Sequence, residues 1–395
     1  ILVFLSIFPL YFIITSLSVF SLQKKRLGMV INKNNYIYKI LDALVISGFV
    51  LSLIGILQFA LQFFVGIDLI MNFWKEYISP IFYGKTFGAE VVSNPSWLVN
   101  IGGETILRAF SLFPDPHMFS FYLGLLIPIM LAIALCCDCL CHKHPTEKDK
   151  TCHSSKEDWK IRRNSVFQNN RILLYLVLFI MFLAELLTFS RGGYIGMIAS
   201  IGITIILLWK YISLNKKIIL GLIAGSFILF IMVSNQSILN RFLSSFDFNE
   251  GSNTERIKNW SQGWEVFNDN FFIGVGIGNY SAYLYPTAEY RTPIYAHNLY
   301  LDIGAEMGIF ALFVWLALIG TTIWQLFRTG KKSKDVFLRA LSFGLIGSLI
   351  WFSLHSFFDT AIYSPTILAI FVIIVSLSVM TIQALNIKCD DIDIA

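Results

Sequence analysis

Residues 172–209 read ILLYLVLFIMFLAELLTFSRGGYIGMIASIGITIILLW, two apolar runs joined by Ser190-Arg191-Gly192-Gly193. The runs, 172–189 and 194–209, are long enough to cross a bilayer as helices, so almost no loop is left between them. Arg191 therefore lies at a tight turn between two membrane spans. An arginine there is costly unless it binds a ligand or lines a wet cavity, so it is a candidate functional residue.

The composition of the whole chain predicts the same class of protein. Hydrophobic residues make up 56% and charged residues 14%, against roughly 25% charged in soluble domains. The apolar runs are long and do not alternate with polar residues, as the strands of a barrel would. We therefore expect an all-α, polytopic transmembrane helix bundle, with one membrane domain over residues 1–395. The predicted spans, about nine in number, are 1–22, 40–65, 116–137, 172–188, 193–211, 218–233, 297–327, 336–357 and 362–382.

The start of the chain is not a signal peptide by its pattern. No basic residue precedes the first apolar segment, and no small-residue cleavage site follows it. Because the chain begins with Ile1, we expect an upstream part. With the first segment running inward, that part should supply an odd number of helices if the full protein starts in the cytosol.

Lysine and arginine are concentrated in alternate connections, which predicts the orientation. The basic connections follow the first, third, fifth and seventh segments and should be cytoplasmic, including a charged loop at 138–171. The connection 66–107, the turn at 190–193, the long loop 234–296 and the turn 358–361 are then extracytoplasmic. This topology accounts for the net charge of +5, which therefore does not indicate nucleic-acid binding.

Several cationic side chains fall on or near the predicted outer face. They are Arg108, Arg191, Arg256, Lys258, Arg291, His297 and His355. A single arginine there could be a headgroup anchor, and for Lys258 a solvated position is the preferred interpretation. Several cations with two histidines favour an anionic ligand instead.

The long outer loop has a readable pattern. Ser252 and Glu255 predict a capping box that opens a helix through Asn268. Four apolar residues share one face of that helix and predict that it lies in the membrane interface; they are Ile257, Trp260, Trp264 and Phe267. Three alternating glycines follow, Gly274, Gly276 and Gly278. They indicate either a close backbone approach or a simple turn, since no βαβ unit surrounds them to make a dinucleotide site.

His297 opens the next span and is a candidate base, because the unperturbed pKa of histidine is about 6.5. Asn298, Asp302 and Glu306 follow at helical spacing on one face. Glu306 is deep enough to need a partner, for which Arg191 is the natural candidate, and Glu185 is the rival partner of that arginine. His355 and Asp359 are four residues apart and are expected to pair in a supporting role. Asp115 and Pro116 are expected to cap and start the third span.

Taken together, these stretches resemble the O-antigen ligase and O-antigen polymerase superfamily. The resemblance covers residues 108–365, through the segment after Arg108, Ser190-Arg191-Gly192-Gly193, Glu255-Arg256, the glycine run, and His297-Asn298-Leu299-Tyr300. No single motif is specific, but their order, spacing and common outer face are. The resemblance implies about a dozen membrane helices with a large outer loop between late spans.

The resemblance also implies a chemistry. The enzyme would be an inverting, metal-independent glycosyltransferase of the cytoplasmic membrane, with its site facing outward and no cofactor. Its donor would be an undecaprenyl-diphosphate-linked oligosaccharide and its acceptor a glycan or a lipid. Arg191 and Arg256 would hold the diphosphate, with Arg108 as a further anion contact, and His297 would be the base. Asn298, Asp302, Glu306, His355 and Asp359 would support them.

Two alternatives to this interpretation stay open. Polymerisation of surface-polysaccharide repeat units is preferred slightly over ligation to lipid A core or another envelope acceptor. The motifs do not separate these two reactions, because both use the same donor and differ in the acceptor. A transporter or flippase of lipid-linked glycans is more distant, since no related halves with broken helices are visible.

One segment departs from the family pattern. The predicted cytoplasmic loop is rich in soft ligands, namely Cys136, Cys137, Cys139, Cys141, His142, His144, Cys152 and His153. Without a paired Cys-x-x-Cys spacing, reduced thiols without a role are preferred over a zinc site, so no metal is expected.

Overall fold

The computed structural model describes residues 7, 9–16, 34–82, 84, 95–101, 103–141, 171–218, 251–286 and 295–390. Its helices are α1 (Asn34–Val65), α2 (Ile67–Phe73), α3 (Pro116–Cys141), α4 (Arg171–Leu187), α5 (Arg191–Leu208), α6 (Gly251–Asp269), α7 (Tyr280–Leu284), α8 (Leu299–Lys332), α9 (Val336–His355) and α10 (Pro365–Asp390). The predicted fold class, an all-α polytopic transmembrane helix bundle, is confirmed.

Six of the described helices are long and apolar enough to cross a membrane. They are α1, α3, α5, α8, α9 and α10, and α4 adds a shorter apolar helix, Ile172–Leu187. The predicted spans between 40 and 211 and between 297 and 382 all correspond to these helices, although α8 continues to Lys332. Of the predicted span 1–22, residues 9–16 are described and helical. The predicted span 218–233 lies almost entirely outside the described residues.

Helices α3 and α9 form the centre of the bundle. In the most apolar stretch of each helix, 94% of the residues of α3 and 83% of those of α9 are buried, whereas only 33% of those of α8 are buried. Glycines let the two central helices approach closely, as small residues do in membrane bundles. A Cβ on Gly344 would lie 2.7 Å from Ile129 Cα, and a Cβ on Gly124 would overlap the Trp351 indole.

A short hairpin precedes α3 and was not predicted. Strands β1 (Leu98–Ile101) and β2 (Glu104–Leu107) pair antiparallel, with Ile101 opposite Glu104. The Gly102-Gly103 pair in the sequence is a hairpin-turn signal. On the buried side, Trp97 stacks on Phe110 at a centroid distance of 3.9 Å, which packs the hairpin against the chain that leads into α3.

Helix α8 is interrupted at Gly308, where the backbone has φ 76° and ψ −178°. The loop after α6 fills the interruption through its backbone: Val275 N–H donates to Ala305 O, Gly276 N–H donates to Glu306 O, and Ile309 N–H donates to Phe271 O, at 2.8–2.9 Å. A Cβ on Gly274 would lie 2.3 Å from the Glu306 carbonyl carbon. The glycine run therefore makes the close backbone approach that was one of the two interpretations of its sequence.

The bundle has two distinct ends. At the site end, α3, α5 and α8 begin and α4 and α9 finish. At the lysine end, α3, α5 and α8 finish and α9 begins, with Lys216, Lys331 and Arg339 nearby. Lys216 Nζ donates to Ala134 O at 3.1 Å and Leu135 O at 2.7 Å, about two turns before α3 ends at Cys141, which ties this part of α3 to the chain that follows α5.

Candidate functional site

Three helix starts meet at the site end, and each is capped by its own residue. Asp115 Oδ1 accepts from Met118 N–H at 2.9 Å, so the predicted N-cap of α3 is confirmed. Ser190 Oγ accepts from Gly193 N–H at 3.3 Å and starts α5. Asn298 Oδ1 accepts from Tyr300 and Leu301 N–H groups at 3.0 and 3.3 Å and starts α8. The sequence predicted that these two spans begin at 193 and 297. Because Ser190 and Asn298 cap the helices, α5 begins two residues earlier and α8 two residues later than predicted.

Arg191 and Arg256 come to this end from different elements. Arg191 is the first residue of α5, and Arg256 is in the second turn of α6; both are half-buried. Burial lowers the pKa of Arg256, and the charge of Arg191 lowers that pKa further, whereas the Asp359 carboxylate raises it. The two guanidinium groups are therefore close enough to act on each other, and the Asp359 carboxylate is close to Arg256.

His297 pairs with Asp359 beside these cations. Its Nδ1 lies 3.4 Å from Asp359 Oδ1, and the imidazole is 48% exposed while the carboxylate is 15% exposed. The hydrogen bond to Asp359 raises the pKa of His297, against burial and Arg256, which lower it. Burial alone would raise the pKa of Asp359, but the hydrogen bond from His297 and the charge of that imidazole lower the pKa well below its usual range.

The predicted pairing of His355 with Asp359 is wrong, because each has another partner. Asp359 is taken by His297, and His355 Nε2 lies 3.1 Å from Ser190 Oγ. The His355 ring also stacks on Phe121, with centroids 3.8 Å apart and planes 2° apart. Four residues of separation place two side chains on one helical face, but α9 has already finished at His355.

A chain of buried polar groups links Arg108 to His355. Arg108 Nη1 lies 3.5 Å from His117 Nε2, His117 Nδ1 lies 3.1 Å from Ser190 Oγ, and Ser190 Oγ reaches His355. A guanidinium only donates, so His117 Nε2 accepts and its proton sits on Nδ1. Nδ1–H then donates to Ser190, whose single hydroxyl proton goes to His355 Nε2. The geometry thus sets one tautomer for both neutral imidazoles.

Arg108 serves mainly to hold the elements of the site together. Its Nε donates to Thr188 O at 2.7 Å and its Nη1 to Ser96 O at 2.8 Å. The side chain is buried and joins the hairpin region to the end of α4. Its role as a direct anion contact stays a prediction.

The three acidic and amide residues of α8 are buried as predicted, and each has an identified partner. Asn298 caps the helix, and Asp302 accepts from Ala296 N–H at 2.8 Å and from the Thr360 hydroxyl. Glu306 accepts from the Tyr363 hydroxyl at 2.6 Å. Glu185, the predicted rival partner of Arg191, accepts from Ser120 Oγ at 2.6 Å. The partner found for Glu306 was not among those considered from the sequence.

The apolar face of α6 is divided between two environments. Phe267 is buried in a cluster with Val266, Tyr280, Ala296 and Ala305. Trp264 and Ile257 are 57% and 44% exposed. The predicted helix is confirmed, but part of the face that was assigned to the membrane interface packs on α8 instead.

Some predicted site features lie outside the described residues. They are Arg291, the side chain of Ser252 in the capping box, and the cysteine- and histidine-rich segment beyond 141. In the described ranges, no group of three or more histidine, cysteine or acidic residues is placed to hold a metal ion.

Sequence reasoning missed His117 and Ser190 as parts of the site. The two side chains meet although they are 73 residues apart in the chain, and no short stretch of sequence shows such a contact. A histidine in the first turn of a span, at the same end as Arg191, was the signal that could have found it.

Part of the chain is similar in sequence to known proteins. Residues 176–316 match the family described as O-Antigen ligase, a stretch that contains Arg191, Arg256 and His297. Over 180 residues the chain is 28% identical to the teichuronic acid biosynthesis protein TuaE of Bacillus subtilis (strain 168), covering 43% of this chain and 36% of that protein. The chain thus aligns with about a third of the length of that relative. The predicted resemblance is confirmed.

Proposed function

We propose that this membrane protein, part of which matches the O-antigen ligase family, is a glycosyltransferase of polysaccharide biosynthesis. Its donor would be a glycan linked to a lipid diphosphate. The donor would be undecaprenyl-diphosphate-linked, and the site would face outward from the cytoplasmic membrane. One observation carries the proposal: Arg191 and Arg256 converge beside the His297–Asp359 pair at one end of the bundle.

The reaction needs a place for negative charge and a base. The bond between the anomeric carbon and the phosphate oxygen breaks, and the electron pair leaves with the diphosphate. Arg191 and Arg256 would hold that diphosphate, since guanidinium groups bind phosphate oxygens in pairs. The attacking hydroxyl of the acceptor forms the new bond and gives its proton to His297. Attack on the face opposite the leaving group inverts the anomeric centre, and no step requires a metal ion.

Asp359 supports the base in this scheme. It fixes the imidazole through Nδ1, which leaves Nε2 as the atom that receives the proton, and it stabilises the imidazolium that forms. The half-exposed position of His297 lets an acceptor hydroxyl reach it.

Polymerisation of repeat units is the preferred reaction. The similar protein TuaE is a teichuronic acid biosynthesis protein, which favours a polymer product. Ligation to an envelope acceptor is the second candidate, favoured by the description of the matched family.

The test is transfer by the purified protein from a lipid-diphosphate glycan. We expect His297→Ala to lower kcat by about 100-fold or more and to leave donor binding nearly unchanged, while His117→Gln keeps more activity. Normal product from His297→Ala would refute the assignment of the base. A deletion strain separates the two reactions. Loss of long chains with single repeat units still on the surface glycolipid indicates a polymerase, whereas lipid-linked polymer that accumulates without being attached indicates a ligase.

A further inference from the structure

Asp302 lies between the two chain segments that carry the candidate base and its carboxylate partner. It is in the first turn of α8 and is only 1% exposed. Its Oδ1 accepts from Ala296 N–H at 2.8 Å, and its Oδ2 accepts from the Thr360 hydroxyl. A carboxyl group buried this deeply is costly unless its oxygens are hydrogen-bonded. Here each oxygen contacts a different segment.

Each contact of Asp302 is one residue away from the His297–Asp359 pair. Ala296 directly precedes His297, and Thr360 directly follows Asp359. Thr360 N–H also donates at 2.8 Å to Asp359 Oδ1, the oxygen that lies 3.4 Å from His297 Nδ1. Asp302 therefore connects the backbone beside the base with the segment that presents the carboxylate.

The backbone at His297 is in a conformation that needs such support. Its φ is 52°, in the left-handed region that residues with a Cβ adopt rarely. The residue before it is anchored by Asp302, and two residues after it Leu299 N–H donates to Ser356 O at 2.9 Å. A left-handed residue persists where its surroundings hold it. Release of the anchor at Asp302 would let His297 return to an ordinary φ, which turns its Cα–Cβ bond and moves the imidazole away from its partner.

We propose that Asp302 is a positioning residue for the candidate base, and that it holds His297 and Asp359 in the arrangement in which the imidazole takes the acceptor proton. The inference rests on the proposed function, in which His297 is the base, and adds the residue that fixes the geometry of the pair. Both oxygens of Asp302 are used within the protein. Its part in the reaction therefore passes through the pair.

Thr360→Val tests the proposal without changing any charge. The substitution keeps the shape of the side chain and removes the hydroxyl that donates to Asp302, so the segment with Asp359 loses this tie. Thr360→Ser keeps the hydroxyl and is the conservative variant. Thr322→Val is the matched control, because Thr322 is also buried and donates its hydroxyl to Leu318 O at 2.7 Å, about five turns further along α8.

We expect Thr360→Val to lower kcat roughly tenfold, because a small displacement of a proton acceptor slows its reaction strongly, with the KM for the lipid-diphosphate donor little changed. Thr360→Ser and Thr322→Val should behave like the wild type. Equal kcat values for Thr360→Val and Thr322→Val would overturn the proposal.

Substitution of Asp302 itself should have the larger effect. Asp302→Leu removes both contacts and should lower kcat about 100-fold. Asp302→Asn should keep more activity, because its amide can still accept from Ala296 N–H and donate to Thr360. A kcat of Asp302→Leu close to that of the wild type would refute the positioning role. If Asp302→Leu does not fold, Thr360→Val decides.

A double substitution separates positioning from a general effect on stability. In the background of Asp359→Ala, Thr360→Val should cause a further loss of kcat of less than about twofold, because the carboxylate that it helps to place is already gone. The same factor in both backgrounds would show that Thr360 acts independently of the pair, which contradicts the proposal.

Chemical modification of His297 gives a readout that needs no substrate. The imidazole is 48% exposed, and diethylpyrocarbonate reacts with its neutral form. The pH dependence of this modification, followed by mass spectrometry, therefore reports the pKa of His297. The charged groups that act on this pKa are Asp359, Arg256 and Asp302, and Thr360→Val removes none of them.

The pairing with Asp359 raises the pKa of His297, so weaker pairing in Thr360→Val should move the midpoint of modification to lower pH. A midpoint that stays in place would count against the positioning role. If the midpoint moves but the wild type transfers no glycan from a lipid-diphosphate donor, the proposed function fails and the positioning of the pair stands.

Discussion

The two ends of the bundle both carry positive charge, but they hold it in different ways. At the lysine end, Lys216 donates to two carbonyls in the last third of α3, and Arg339 lies 4.0 Å over the Tyr211 ring. At the site end, Arg191 is the first residue of α5, where the helix dipole already presents positive charge.

The difference shows what each end is built for. Cations at the finish of a helix satisfy its carbonyls and complement its dipole. Arginines gathered where three helices begin add positive charge to positive helix ends, which costs free energy unless an anion arrives. The site end is therefore the end where we propose that an anionic ligand binds, whereas the described cations of the lysine end interact with groups of the protein itself.

The strongest test of the comparison removes one cation from each end. Arg191→Ala should lower transfer about 100-fold or more, because a charge that stabilises the leaving group is lost. Arg191→Lys should recover part of that activity, since lysine keeps the charge but not the paired geometry. Lys216→Ala should stay within about twofold of wild type. If Arg191→Ala and Lys216→Ala lowered kcat/KM by similar factors, the two ends would not differ in the way proposed here.

A middle-sized effect is expected at Ser190, which caps α5 and joins two histidines. Ser190→Ala should lower stability by about 1 kcal/mol and activity roughly tenfold, because the groups around Arg191 lose their fixed positions. Ser200→Ala on the same helix is the control, since Ser200 Oγ is buried and has no hydrogen-bond partner among the described residues. Thermal unfolding in detergent and transfer rates give the two readouts. Equal behaviour of the two variants would contradict a special role for Ser190.

The smallest effect concerns pH. Asp359 raises the pKa of His297, so Asp359→Asn should lower that pKa. His297 would then stay neutral to lower pH, and the acid limb of the kcat/KM profile should move to lower pH, with a reduced plateau because the base is weaker. Asp335→Asn, which changes the cap of α9 at the lysine end, should leave the acid limb in place. An acid limb that does not move would argue against His297 as the titrating base.

The features that depend on residues close together in the sequence were predictable. The apolar spans, the Asp115 cap and the close approach of the glycine run follow from short stretches of chain. The set of cations at one end followed from counting spans. The pairings did not: His297 meets Asp359 across 62 residues and Tyr363 meets Glu306 across 57. Several polar groups lie near one another at this end, and the rotation and the last residue of each helix decide which of them pair. These properties depend on packing between distant segments, so short stretches of one sequence do not predict them.

The interruption of α8 also has a consequence for protein engineering. The loop after α6 is bound to both sides of Gly308 through backbone atoms, so the joint depends on backbone geometry and on the glycines that permit the close approach. Residues 251–309 can therefore be exchanged between related proteins as a cassette that carries Arg256 and His297 together. Grafts that cut inside this stretch would separate the two halves of the joint and deliver neither group to its place.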